Sequence, residues 1–225
     1  SMLRKSEVPT TPVVTVDRAQ VKGRVTDPSG IALEGVSIVV AETDDATLTD
    51  ADGRYALSIP ADSTVTLRAL KPIVYTSTTL QSFVAPAGVT IENLDVLLLA
   101  SSTLGAFNQM VNPSEDRGVV AANFISISGR CVPDGATVKL APQAAGQSFY
   151  VRNGDHRPDA TVTAMQPQGV PHAWVVSVPP TTGQTLTVSK SGCQSLTFPV
   201  TWKGVAWQAP LRITKGLTQA WGFVE

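Results

Sequence analysis

Apolar residues recur at every second position through most of this chain. Tyr55, Leu57 and Ile59 alternate with Arg54, Ala56 and Ser58, and Val65, Leu67 and Ala69 alternate with Thr64, Thr66 and Arg68. Leu94, Val96 and Leu98 supply a third such row, and Gly35–Val40 is a short β-branched run. A period of two is that of a half-buried strand. Between the runs stand turn residues, as in "DPSG" (Asp27 to Gly30), with Pro second and Gly fourth as a type I turn prefers. Six or seven short strands punctuated in this way predict a β-sandwich.

The period changes once. In "SSTLGAFNQMVNP", Ser102 is the expected helix N-cap, Leu104, Phe107 and Val111 share one face, and Asn112-Pro113 is the expected stop. After it the first plan returns. "GRV" (Gly23–Val25) is echoed by "GRC" (Gly129–Cys131) and "GVSIV" (Gly35–Val39) by "GATVK" (Gly135–Lys139). "LSIP" (Leu57–Pro60) matches "VSVP" (Val176–Pro179), and "TVTLRA" (Thr64–Ala69) matches "TLTVSK" (Thr185–Lys190). These echoes predict an all-β protein of two tandem β-sandwiches of the same kind, joined by a short helix. The expected divisions are a linker or tether at 1–18, a sandwich at 19–100, a connecting helix at 101–117 and a related sandwich at 118–225.

The most legible turn is "TDADGRY". A helix-loop-helix calcium loop with Gly53 as its sixth residue needs an acid at position 48 and a glutamate at 59, where Leu48 and Ile59 stand. A hairpin is therefore expected, with Asp50 capping the turn and Gly53 left-handed. A weak cation site on Asp44, Asp45, Asp50 and Asp52 is the minor alternative.

The same residues carry a resemblance. "VKGRVTDPSGIALEGVSIVV", "TLTDADGRYALSIP" and "ENLDVLLL" resemble the bacterial carboxypeptidase regulatory-like domain over residues 19–99, with "LKPIVY" (Leu70–Tyr75) departing from its pattern and the second half following it loosely. The resemblance implies a transthyretin-like sandwich, so that the two tandem β-sandwiches are expected to be prealbumin-like or Ig-like, acting as a non-catalytic accessory or surface module. Such modules occur in secreted, periplasmic or outer-membrane-associated proteins, here with a lipid anchor ahead of the N-terminal linker as one arrangement. It implies no catalytic residue and no cofactor.

Composition adds exclusions. A net charge of −1 argues against a nucleic-acid binder with a dominant basic face. The charge is uneven: residues 1–101 hold 8 Lys/Arg against 12 Asp/Glu, and residues 102–225 hold 9 against 6. No apolar run reaches the roughly 18–20 residues of a membrane-spanning helix. The two histidines, His156 and His172, sit at predicted turns, with no nucleophile elbow and no zinc-helix pattern around them. No metal site is expected.

Cys131 and Cys193 are the only cysteines, each beside a predicted strand of the second half, and a disulfide is expected. If a ligand is bound, the expected residues are Phe149, Tyr150, Arg152, His156 and Arg157, in a predicted long loop from Ala141 to Thr161. Aromatic and arginine side chains concentrate in working interfaces. The expected partner is an envelope protein or a glycan. Two other readings stand beside it: a carbohydrate-binding module using second-half aromatics, and a small hydrolase. All four tryptophans lie in that half, as platform or as core.

Overall fold

A computed structural model describes residues 17–111, 116–143, 146–167 and 171–225. The first half contains β1 (Arg18–Thr26), β2 (Ser37–Val40), β3 (Ala46–Leu48), β4 (Arg54–Pro60) and β5 (Thr64–Val65). It continues with β6 (Leu67–Leu70), β7 (Thr78–Leu80), β8 (Phe83–Val84), β9 (Thr90–Ile91) and β10 (Val96–Leu97). Helix α1 (Ser101–Gln109) follows. The second half contains β11 (Gly118–Ser126), β12 (Thr137–Ala141), β13 (Gln147–Val151), β14 (Pro158–Asp159) and β15 (Ala173–Val178). It ends with β16 (Thr181–Ser189), β17 (Val200–Trp202), β18 (Val205–Trp207), β19 (Leu211–Ile213) and β20 (Leu217–Val224). The described residues form an all-β fold with one short helix.

In the first half the alternating rows face inward as expected. Val21, Val25, Tyr55, Leu57 and Ile59 from β1 and β4 share one core with Ile38, Val40, Leu67 and Ala69. The turn into β4 has the expected Asp and Gly chemistry but is not a hairpin, since β3 pairs with β2 and β4 with β1 in a different sheet: Asp50 Oδ1 accepts the N–H groups of Asp52 (3.0 Å) and Arg54 (2.8 Å). Gly53 sits at φ 73°, and a Cβ there would lie 2.6 Å from the Val25 carbonyl oxygen. The position needs glycine for its backbone angle and for space. Strand β1 begins at Arg18, inside the expected linker, whose residues 1–16 lie outside the described ones.

Strand pairing repeats between the halves. β1 pairs antiparallel with β4 and parallel with β10, while β11 pairs antiparallel with β15 and parallel with β20. β2 pairs with β6, and β12 with β16. One sequence echo falls elsewhere: Gly129–Cys131 follows β11 in a bend and is not a strand counterpart of Gly23–Val25. The counterpart by packing is Gly118. A Cβ at Gly23 would meet the Leu94 carbonyl oxygen at 2.1 Å, and one at Gly118 the Thr214 carbonyl oxygen at 2.0 Å.

The halves also share sheets. One nine-stranded sheet runs β14-β13-β15-β11-β20-β7-β6-β2-β3, with β20 parallel to both β11 and β7. A second sheet, β17-β18-β8-β5, also mixes the halves. Val200, Val205, Trp207, Trp221 and Phe223 pack into the first half's core. A separate core lies within the second half, around Val120, Tyr150, Val175 and Leu211. A third lies beneath α1, where Leu104 and Phe107 meet Phe149, Trp174 and Val176.

The helix differs from expectation in detail. It starts at Ser101, with Ala100 as N-cap and no side-chain cap, so Ser102 lies inside the first turn. Tertiary contact sets this start: Tyr75 bridges to Ala100, and the Ser101 N–H donates to the Val74 carbonyl at 3.0 Å. The helix ends at Gln109, well short of 117, and Val111 lies beyond it, 40% exposed. Asn112-Pro113 falls outside the described residues.

Candidate functional site

The residues singled out from sequence separate into three places. Phe149 and Tyr150 are neighbours on β13, and successive side chains on a strand point to opposite faces. Phe149 joins the core under α1, whereas Tyr150 joins the second-half core, its hydroxyl oxygen accepting the Val138 N–H at 2.9 Å. Burial raises the Tyr150 pKa, and that backbone contact partly offsets the rise. Neither ring is displayed, and the expected loop from Ala141 to Thr161 contains β13 and β14. Both faces of this sheet are covered here, which the sequence pattern of a single strand does not disclose.

Arg152 folds back along its own hairpin. Its Nη2 lies 2.6 Å from Asp159 Oδ2 and 3.2 Å from Thr161 Oγ1. The Thr161 hydroxyl and N–H, with Arg152, hold the Asp159 carboxyl down to about 2. This ion pair shapes the hairpin tip.

His156 and Arg157 reach a cleft of about 400 Å³, where they meet residues from three other segments: Asp27, Tyr75, and Thr103 with Phe107 of α1. Its walls are fixed from behind. The Trp174 indole N–H donates to the His156 carbonyl at 2.9 Å, and Phe107 packs edge-on against Trp174 with ring centroids 5.2 Å apart. Asp27 Oδ1 accepts the N–H groups of Ser29 (2.9 Å) and Ile31 (3.0 Å), closing the opposite turn. Tyr75 is held by its bridge to Ala100. Beside the cleft, Ile73 is 97% exposed at φ 83°, and Val74 is 57% exposed. A β-branched residue at positive φ is a backbone outlier. Tyr75, Ile73 and Val74 all come from "LKPIVY", the stretch that departs from the family pattern, and that departure was the signal for them.

His156 Nδ1 lies 3.8 Å from Asp155 Oδ1, beyond hydrogen-bond distance. That oxygen instead accepts the N–H groups of His156 and Arg157, which hold the Asp155 carboxyl below its ordinary value. A general base needs an orienting partner of the kind this imidazole lacks. Among the described residues no group of three or more His, Cys, Asp or Glu is placed to hold a metal ion.

The tryptophans are core. Trp174 and Trp207 are fully buried, Trp221 is 6% exposed and Trp202 is half-buried, with Lys203 Nζ 4.8 Å from its ring centre. The exposed aromatic platform that a carbohydrate-binding reading needs is therefore not formed by them. Trp202, Trp207 and Trp221 pack with the first half's core, Trp207 and Trp221 with centroids 4.7 Å apart, while Trp174 lies in the core under α1. Cys131 and Cys193 are disulfide-bonded, with Cα atoms 5.2 Å apart.

With this geometry in hand, residues 20–99 match the family model of the carboxypeptidase regulatory-like domain. The matched residues form a first unit similar to that domain. The match ends where α1 begins, so the domain supplies the Asp27 and Tyr75 walls of the cleft and the remainder of the chain supplies the others. No curated protein matches the chain. Solved structures give partial likenesses. A type II cohesin–X-dockerin complex from Acetivibrio cellulolyticus is 16% identical, with TM-score 0.31 over 44% of this chain and 67% of that one. The Bacillus anthracis TIE protein is 13% identical, with TM-score 0.30 over 93% of this chain and 34% of that one. The shaft pilin spaA from Lactobacillus rhamnosus GG is 9% identical, with TM-score 0.25 over 94% and 98%.

Proposed function

We propose that this protein is a non-catalytic binding and structural module of a bacterial envelope or secreted protein, with the cleft as its contact site. The observation that carries this reading is the convergence of His156 and Arg157 with Tyr75 and Asp27 on one rigidly backed concavity. Those residues come from loops of both halves, and the shared sheet holds them in place. Loops set on a rigid scaffold are where contacts to partners concentrate. The match to the regulatory-like domain and the disulfide support an oxidising, extracytoplasmic setting. No helix of the described residues is long and apolar enough to cross a membrane. Attachment through residues 1–18, as in a lipoprotein ectodomain, is part of this proposal.

The expected partner is an envelope protein. The direct test immobilises the whole protein and measures saturable binding of purified envelope proteins, in parallel with Tyr75→Ala and Arg157→Ala variants. Loss of binding in both variants with unchanged thermal melts supports the cleft. Undiminished binding by both variants moves the contact elsewhere, and catalytic turnover abolished by those substitutions would overturn the non-catalytic reading.

A further inference from the structure

The outer face of the first half carries a feature that neither its fold nor the cleft uses. Along β1 the outward positions are Arg18, Gln20, Lys22 and Arg24, and the residues opposite them on β4 are Pro60, Ser58, Ala56 and Arg54. Three of the four β1 positions are cationic, while Ser58 and Ala56 leave a low shelf beside them. Arg24 faces Arg54 directly.

The backbone shows how close that pair is. The Val25 N–H donates to the Gly53 carbonyl at 2.8 Å, while the Arg24 and Arg54 N–H groups turn instead to Asp95 Oδ1 (2.9 Å) and Asp50 Oδ1 (2.8 Å). Arg24 and Arg54 are thus a non-hydrogen-bonded cross-strand pair, the type whose side chains approach most closely, with Cα atoms roughly 4.5 Å apart. Like charges directly opposite one another are destabilising.

Two of the nearby carboxylates are ion-paired with other cations, and two hold backbone N–H groups beside the arginine pair. Glu92 pairs with Lys22 at 3.2 Å and Asp45 with Arg18 at 2.7 Å. Asp50 and Asp95 each hold a backbone N–H, as above. Arg24 Nε reaches only the Asp52 carbonyl, at 2.8 Å. Arg24 and Arg54 make no ion pair among the described residues. Both line an open groove of about 570 Å³ that also holds Lys22 and the carboxylates of Asp50, Glu92 and Asp95, so an incoming anion competes with these carboxylates for the two guanidinium groups.

We propose that Arg24 and Arg54 form a binding site for phosphate or sulfate groups borne on an anionic polymer. A tetrahedral oxyanion between two guanidinium groups relieves their repulsion and accepts charge-assisted, two-pronged hydrogen bonds from each. Lys22 and Arg18 continue the line along roughly 20 Å of β1, at about 3.3 Å per residue, but are held by Glu92 and Asp45, so a repeating polyanion gains further contacts only by displacing exposed ion pairs, which contribute little. Because the groups are exposed, affinity falls steeply with salt.

The test uses the full chain with heparin (sulfated), polyphosphate and inorganic phosphate as probes, at low and physiological salt. Arg54→Ala and Arg24→Ala are each expected to weaken polymer binding by about tenfold or more. Lys139→Ala, which removes one exposed cation from the second half, is expected to change it less than about twofold. Preference for heparin or for polyphosphate separates sulfate from phosphate as the natural group. Thermal melts without polymer keep the test clear of misfolding, since removing one arginine should leave stability equal or higher at low salt. Equal losses in all three variants, no binding of either polymer, or phosphate binding without gain from a polymer would each overturn the site. Tyr75→Ala and Arg157→Ala leave this binding unchanged, so the outcome is independent of the cleft.

Discussion

Gln81, 2% exposed, accepts the backbone N–H of Trp221 through Oε1 at 2.8 Å and donates through Nε2 to the Gln208 carbonyl at 2.9 Å. Gln219 makes the reciprocal link, accepting from Leu97 N–H and donating to the Asp95 carbonyl, each at 2.9 Å. Two buried side-chain amides thus stitch β20 to the first half. Gln81→Leu leaves the Trp221 N–H and Gln208 carbonyl without their partner, and an unsatisfied buried group costs about 1–3 kcal/mol. Chemical denaturation should show a loss of that order or larger; a loss below about 0.5 kcal/mol would mean the link contributes little.

The first unit is expected not to fold alone. Phe83 packs against Trp207 with centroids 5.4 Å apart, and Val205, Trp221 and Phe223 complete the same core. β7 and β8 lose their pairing with β20 and β18 when the second half is removed. A fragment of residues 17–100 should show poorly dispersed amide NMR signals and bind a hydrophobic dye. A well-dispersed spectrum with a cooperative melt would show that the family domain is self-sufficient.

The Cys131–Cys193 bond spans a sequence separation of 62. In the chain-entropy account a loop of that length contributes about 4 kcal/mol. Cys131→Ser with Cys193→Ser should lower denaturant stability by an amount of that order. Thiol counting in denaturant without reductant should find no free thiols in the wild type, and two would refute the bond.

Stability should fall on mild acidification because of His172. Its Nδ1 accepts the Phe124 N–H at 3.0 Å, which requires that nitrogen to be unprotonated. Burial lowers its pKa, partly opposed by Asp134. The unfolded chain, with a value near 6.5, therefore binds a proton before the native protein does. This contribution is fully present above about pH 6.5 and declines as pH falls through the lower native value. Melts from pH 7.5 to 5 should show a decline that His172→Asn flattens; parallel curves for the two proteins would remove His172 as the cause.

Tyr55 carries the opposite sign. Its hydroxyl donates to the Leu94 carbonyl at 2.7 Å, and burial, then the Asp95 charge, raises its pKa. The unfolded phenol ionises near 10, so stability present below that pH is lost as pH rises beyond it. Tyr55→Phe should be less stable at pH 8 and less sensitive between pH 9 and 11, and an unchanged alkaline limb would count against this account.

Much of this protein was legible in order of sequence. Alternation places Tyr55, Leu57 and Ile59 inward, and Asp50 with Gly53 specifies a tight turn, because strand period and turn chemistry act over a few residues; that this turn joins two sheets and closes no hairpin follows from the pairing of β3 with β2 and of β4 with β1. Pairing partners are another matter. β20 enters between β11 and β7, joining Leu217 to Thr78 across the chain, and no local pattern encodes that neighbour. Long apolar runs such as "AWVVSV" of β15 also lack alternation, since both faces are covered, one by α1 and one by the second-half core. That same double coverage buries Phe149 and Tyr150 together. Residue type nominated His156 and Arg157, but only the packing of Trp174 and Phe107 behind them, and of "LKPIVY" across from them, decided that they share a cleft. Local sequence determined the strands and turns; burial on two faces and pairing between distant strands, both properties of the assembled chain, determined what remained exposed.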